Sequence, residues 1–254
     1  TGFAAMDQSR TGLLVTAPSD SIAGDKVLSW LDRTGRSEPL NLPRQPYLNV
    51  AISPDGSRAA VCVGNAIGIV DFGRLAMTKL TLAPRAQNPV WSGDGRRVYS
   101  GLEKGQHYQI FWKAFDDSGS EQLAFASDSS EYALQMSSDG TRLLTVRIPP
   151  DGQPELLLRD VGRGATGGEP KPLVKSPFLF AAATLAPGGR FVAYQAQESG
   201  RPEISVRPTS GADRKWQVSS DGGTSPLWSA DGKEIFYLCG MKLMAVDVEP
   251  QGED

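Results

Sequence analysis

Ile52-Ser53-Pro54-Asp55-Gly56-Ser57-Arg58 decides the fold, because the chain repeats it. Trp91-Ser92-Gly93-Asp94-Gly95-Arg96, Met136-Ser137-Ser138-Asp139-Gly140-Thr141-Arg142, Leu185-Ala186-Pro187-Gly188-Gly189-Arg190 and Trp228-Ser229-Ala230-Asp231-Gly232-Lys233 are versions of the same phrase. Each runs from a large apolar residue through a tight turn that ends in glycine, and then to a basic residue. The last turn residue needs a positive φ, which glycine adopts without steric cost, and proline at the second position presets φ near −65°. The final glycines stand 39, 45, 49 and 43 residues apart, and Gly12, in the degenerate copy Ser9-Arg10-Thr11-Gly12, lies 44 residues before Gly56. A period near 44 in a chain of 254 residues makes six repeats, the sequence mark of a propeller or a solenoid. Two copies depart from the pattern: Gln8 replaces the apolar residue in the first, and Gly188 replaces Asp in the fifth.

One repeat shows the internal plan. Residues 88–92 read as a short apolar strand before the turn, and 97–102 as the returning strand. A polar connection leads to 107–115, rich in Tyr, Ile, Phe and Trp, and a second turn signal precedes 121–125. That gives four antiparallel strands per unit. Third strands are expected at 26–31, 66–72, 108–115, 155–160, 203–207 and 242–248, and helical periodicity is absent throughout. A β-sandwich would not repeat one turn six times, and a solenoid coil is usually shorter than ~40 residues. The expectation is an all-β, six-bladed β-propeller of four-stranded blades forming a single domain. The approximate blade boundaries are 1–43, 44–84, 85–127, 128–175, 176–220 and 221–254. Only 249–254 follow the last third strand, so the final blade is expected to be incomplete, and the chain reads as a piece of something longer.

Composition narrows the function. With 39% hydrophobic residues the chain can bury a large core, and its 28 glycines and 18 prolines are dispersed as many short strands and turns require. Twenty-six basic and twenty-nine acidic side chains leave a net charge of −3 with no basic stripe, which argues against nucleic acid and anionic membrane as partners. No stretch approaches the eighteen apolar residues that span a bilayer. Cys62 and Cys239 sit inside apolar strand-like runs and read as small buried hydrophobes.

No motif assembles into catalysis. His107, the only histidine, begins a predicted third strand, and no G-x-S-x-G elbow occurs. One histidine and two scattered cysteines do not make a zinc site. Gly162-Arg163-Gly164-Ala165-Thr166-Gly167 matches G-x-G-x-x-G, but Glu169-Pro170-Lys171-Pro172 follows where a helix would have to begin, so the stretch reads as a loop. Asp55, Asp94, Asp139 and Asp231 are read as bonding to the amides of their own turns. Trp91 and Trp228 share a repeat position and are expected to pack between blades. No cofactor and no metal are implied.

Binding residues in such a fold belong where the innermost strands begin and converge on one mouth of the central channel. Tyr47 and Asn49, Gln87 and Asn88, Glu131 and Tyr132, Phe178 and Phe180, and Thr224 and Ser225 occupy those starts. Aromatic and amide side chains gathered at a concave mouth suit a protein, peptide or small polar ligand. The competing reading is that they only plug the channel.

The S-P-D-G turn, with an apolar residue before it and a basic one after, resembles the TolB-like, WD40-like (PD40) β-propeller repeats. The segments 30–40 (Trp30 to Leu40), 197–208 (Gln197 to Pro208) and 215–237 (Lys215 to Tyr237) are similar to the first, fifth and sixth blades of propellers appended to bacterial serine/threonine protein kinases. That resemblance implies an upstream kinase and membrane helix, an extracytoplasmic position, and a sensor or docking role for a chain with no catalytic activity of its own. Two alternatives carry different signatures. The substrate-filtering propeller of a prolyl-oligopeptidase-like hydrolase would be followed by a G-x-S-x-G domain. A metal-dependent propeller enzyme would need acidic and amide ligands at the inner strand starts, where Glu131, Asn49 and Asn88 make a thin set.

Overall fold

The computed structural model describes residues 5–8, 14–17, 25–81, 85–116, 118–150, 152–161, 169–177, 182–211, 213–240 and 242–249. Within them the chain folds into consecutive antiparallel sheets, each laid down strand by strand in sequence order. The first comprises Ala5–Gln8, Leu14–Ala17, Ser29–Leu31 and Ser37–Pro39, and the second Tyr47–Ile52, Arg58–Val63, Ala66–Asp71 and Ala76–Lys79. The third holds Ala86–Trp91, Arg97–Lys104, His107–Ala114 and Gln122–Phe125, and the fourth Ser130–Met136, Arg142–Ile148, Glu155–Asp160 and Lys171–Lys175. The fifth is Ala183–Leu185, Phe191–Ala196, Glu203–Pro208 and Trp216–Gln217. Thr224–Trp228, Glu234–Cys239 and Lys242–Asp247 make a last sheet of three strands.

Five blades therefore have four strands, and the last sheet, the one expected to be incomplete, has three among the described residues. Its third strand ends at Asp247, and Val248 and Glu249, the last described residues, add no fourth. The first strands touch in sequence, each against the next, and the strand Thr224–Trp228 returns to touch Ala5–Gln8. That contact closes the ring.

The core lies between blades. Leu28, Leu40, Tyr47, Val61 and Val70 fill the seam between the first and second sheets. Ile67, Leu80, Trp91 and Leu102 fill the next, and Val90, Tyr99, Ile110, Phe125 and Leu143 the one after. Leu144, Leu156, Leu185 and Tyr194 join the fourth and fifth sheets, and Ala193, Val206, Trp228 and Ile235 join the fifth to the last. Strands covered on both faces need apolar residues on both, which explains near-continuous runs such as Leu143-Leu144-Thr145-Val146.

The repeated turn is one hydrogen-bonded unit. In the second blade the Gly56 N–H donates to the Ser53 carbonyl at 2.8 Å, while the Ser53 hydroxyl donates to Asp55 Oδ1 at 2.6 Å and accepts from the Arg58 N–H at 2.9 Å. Asp55 Oδ1 also accepts from the Ser57 N–H at 3.0 Å. The same serine-to-aspartate bond recurs at 92/94, 137/139 and 229/231. The fifth copy keeps only the backbone bonds, from the Gly189 N–H to Ala186 O and from the Ala186 N–H to Phe191 O. There Gly188 takes φ +86°, a conformation that Asp in the other copies does not adopt. This copy is a different turn built on glycine.

Candidate functional site: the central channel

The first strands of all the sheets surround a cavity of about 560 Å³ on the ring axis. Met6, Asp7 and Gln8 line it from the first blade, Asn49 and Ile52 from the second, Asn88 and Trp91 from the third, and Gln135 from the fourth. Thr184 and Gln195 contribute from the fifth, and Ser225 and Trp228 from the last. Asp7 is the one charged residue among the described residues of this lining. The size and mixed character suit a small ligand or an inserted side chain.

Polar side chains on the inner strands first serve to lock blades together. Asp7 Oδ2 accepts the Ile52 N–H of the second blade at 2.7 Å, and Oδ1 accepts the Gln8 N–H at 2.8 Å. Gln135, at the same position of its repeat, does the equivalent job: its Oε1 accepts the Leu185 N–H and, at 2.9 Å, the Thr184 hydroxyl of the fifth blade. Trp91 works in the other direction, its Nε1–H donating to Ala51 O at 2.9 Å. Burial pushes the Asp7 carboxyl up to about 6, against the lowering effect of its two backbone donors. Other wall groups are not used in this way. Gln8 Oε1, Gln195 Oε1 and Trp228 Nε1 are buried and have no hydrogen-bond partner among the described residues. Buried polar atoms are normally paired, so each such exception calls for an explanation.

The residues expected at the mouth divide. Asn49 and Asn88 line the cavity, as does Ser225. Asn88 and Ser225 hold the left-handed conformation, at φ 52° and 53°, where the inner strands of their blades shift register. Tyr47 is buried in the seam between the first two blades, its hydroxyl donating to Pro43 O at 2.9 Å. Tyr132 stacks on Tyr108 with centroids 5.0 Å apart, and its ring lies over Gly101, where a Cβ would come within 3.2 Å. Gln87 Nε2 donates to the Tyr108 hydroxyl at 3.2 Å. Thr224 donates to Leu238 O at 3.4 Å within its own sheet. Phe178 and Phe180 lie outside the described residues, as do the first turn copy, 9–12, and the loop 162–167.

Glu131 is engaged within the fold. Its oxygens accept Arg159 Nε at 2.6 Å and Nη2 at 2.7 Å, and the Thr145 hydroxyl donates to it at 2.7 Å. The Arg159 guanidinium in turn lies 4.8 Å from the Phe125 ring centroid. Asp7, Gln8 and Gln195 were missed by sequence reasoning. A signal for Asp7 existed: two residues before the turn serine the other repeats carry Ala51, Val90, Gln135, Thr184 and Leu227, and only the first carries a carboxylate. Both cysteines are free thiols. Cys62 is buried, which pushes its thiol up to about 11. Among the described residues no group of three His, Cys, Asp or Glu side chains could hold a metal ion.

No protein-family model matches the chain, and no curated protein sequence matches it. Solved structures do. TolB from Acinetobacter baumannii superposes with a TM-score of 0.73 at 20% identity over 86% of this chain, and a putative TolB from Agrobacterium tumefaciens with 0.69 at 16% identity over 81%. A chain of a nidogen/laminin complex superposes with 0.68 at 10% identity over 96%. The match spans 54% of the Acinetobacter TolB chain, 74% of the Agrobacterium chain and 88% of the nidogen/laminin chain. At these identities the likeness establishes the fold: an all-β propeller of antiparallel four-stranded blades whose structural neighbours include TolB-type propellers.

Proposed function

We propose that this chain is a non-catalytic binding module whose site is the central channel and its mouth, and whose partner is a protein, a peptide or a small polar ligand. One observation carries the reading: the inner strands of every sheet converge on one cavity of about 560 Å³, and residues of its wall carry polar atoms with no partner among the described residues. Asn49 and Asn88 are the direct contacts in this reading, with Tyr132, Thr224, Phe178 and Phe180 around the mouth. Tyr47 and Glu131 act as positioning residues that fix the starts of their strands. The resemblance at 30–40, 197–208 and 215–237 supports a finer assignment, a sensor domain of a larger bacterial serine/threonine kinase held on the extracytoplasmic side.

The test is site-specific photo-crosslinking. A photoreactive side chain at Asn49 captures the partner, whereas one at Leu123, 44% exposed on an outer strand, does not. Capture from Leu123 alone overturns the channel as the site. The parent reading is tested separately by the coding sequence on the 5′ side, where a Gly-rich loop and an H-R-D motif are expected.

A further inference from the structure

From its wall chemistry, we infer that the channel is a subsite for a primary alkylammonium group, seated against Asp7 with Gln8 and Gln195 as its further acceptors. The shared chemistry is one cationic head on an apolar stem, supplied either by a free amine or by a lysine side chain of a docked peptide. The inference deepens the reading of the channel as the binding site and rests on it.

Three observations converge. First, charge: Asp7 is the one charged residue in the described lining, no Lys or Arg there neutralises it, and it keeps part of its surface open. Each of its oxygens accepts one backbone N–H, which leaves lone-pair capacity on both. With its carboxyl at about 6 it is ionised at neutral pH in a partly dry wall, where a cation is the complement that a neutral ligand cannot supply. Second, acceptors: Gln8 and Gln195 belong to the cavity wall, and their side-chain oxygens are buried without a donor among the described residues, so each gains by turning onto an N–H presented from the channel. An ammonium carries three such donors. Third, shape: Leu48, Val50, Leu134 and Met136 line the same cavity and provide apolar surface for a methylene stem. Trp91, which shares Trp228's repeat position, is anchored by its indole N–H to a carbonyl. The Trp228 N–H, buried in its seam, has no such anchor among the described residues.

The experiment is calorimetric titration of the folded chain with n-pentylamine, n-pentanol and sodium pentanoate, and with acetyl-Gly-Lys-Gly-amide against its norleucine counterpart. Binding of both amine probes, at least tenfold tighter than their neutral counterparts, is expected, with Asp7→Asn removing that tenfold preference. If only the tripeptide binds, the head group arrives on a docked peptide, and if only pentylamine binds, the ligand is a free amine. Equal binding of amine and alcohol, or an Asp7→Asn protein that retains the preference, overturns the subsite. Gln195→Leu is a second variant should Asp7→Asn fail to fold: threefold or greater weakening of the amine is expected, and unchanged affinity overturns the subsite. Asn49 crosslinking that survives Asp7→Asn separates the outcomes, because the channel reading then stands while the ammonium subsite fails.

Discussion

Asp7 shows how a single side chain can work against the fold that holds it. Its carboxyl sits at about 6 in the folded chain against an ordinary value of 3.8, with desolvation as the main cause. A raised carboxyl favours the folded state fully below the unfolded value, and that advantage is lost as pH climbs from about 4 to about 6. Asp7→Asn removes the titration while keeping an oxygen that can accept a backbone N–H. Relative to wild type, the variant is expected to gain roughly 1–3 kcal/mol between pH 4 and pH 7. Urea unfolding at a series of pH values measures this, and a difference that does not change with pH would show that the group is well solvated. Asp139 is the opposite case. Bonds from the Ser137 hydroxyl and from the N–H and hydroxyl of Thr141 hold its carboxyl down at about 2. Its contribution is present above about pH 4 and fades as pH falls toward 2. Ser137→Ala removes both the donor to Asp139 and the acceptor for the Arg142 N–H, at an expected cost of about 1–2 kcal/mol in thermal or urea unfolding at pH 7. The equivalent loss already exists at Ala186, where the fifth turn solves the problem with two consecutive positive-φ glycines instead.

At the scale of the element, the turn is both a hairpin connection and an interblade contact. Gly95 packs on the Cδ of Pro54, and Gly232 on the Cδ of Pro187, so the turn of each of these blades leans on the turn of the blade before it. Between the third and fourth blades the approach is closer: a Cβ on Gly93 would meet the Cα of Gly140 at 2.4 Å, backbone against backbone. Gly93→Ala is therefore expected to cost about 1–3 kcal/mol through displacement of two turns, readable as a lower unfolding midpoint. The same substitution at Gly105 meets open space and is felt only through its positive φ, at about 1 kcal/mol. These elements were largely legible in advance. Third strands expected at 66–72, 155–160 and 242–248 are found at Ala66–Asp71, Glu155–Asp160 and Lys242–Asp247, because a period-44 turn fixes the frame and short apolar runs fill it. Trp91 and Trp228 pack between blades as their shared position indicated. The use of individual polar residues was not legible. Glu131 reads as a mouth ligand by its place at a strand start, and only the fold brings Arg159, two strands away, onto both of its oxygens. Tyr47 likewise begins an inner strand, yet its hydroxyl bonds back to Pro43 and its ring fills a seam. Sequence position tells which strand a residue starts, but the side-chain direction depends on the bulges that shift register along these inner strands.

For the whole molecule, the ring can be no stronger than its closure. Five seams carry apolar clusters of buried residues, from Leu28 and Tyr47 around to Trp228 and Ile235. Arg33 reaches from the first blade to Glu234 of the last, at 2.5 Å and 3.3 Å, and lies 5.6 Å from the Phe236 ring centroid. The Arg33 side chain is 72% exposed, so the pair is screened by solvent and adds little to the seam. Local opening takes the least stable route available, and the last sheet, with three strands where the others have four, is where the ring is expected to part first. Native-state hydrogen exchange tests it. Amides of Glu234–Cys239, in the three-stranded last sheet, should exchange faster than those of Arg142–Ile148, the equivalent strand of the four-stranded fourth blade, which has a buried ion pair beside it. Arg33→Ala should raise exchange in the last sheet severalfold and leave the fourth blade unchanged. Equal acceleration in both would mean that the ring opens only as one cooperative unit, with the closing seam as firm as the rest. The channel's binding chemistry is coupled to this boundary, because Gln8 and Trp228 stand on its two sides and Asp7 is one residue away. A ligand that engages Asp7 and Gln8 of the first blade and Gln195 of the fifth ties together the two neighbours of the last sheet, so it should slow exchange in the last sheet more than in the fourth blade.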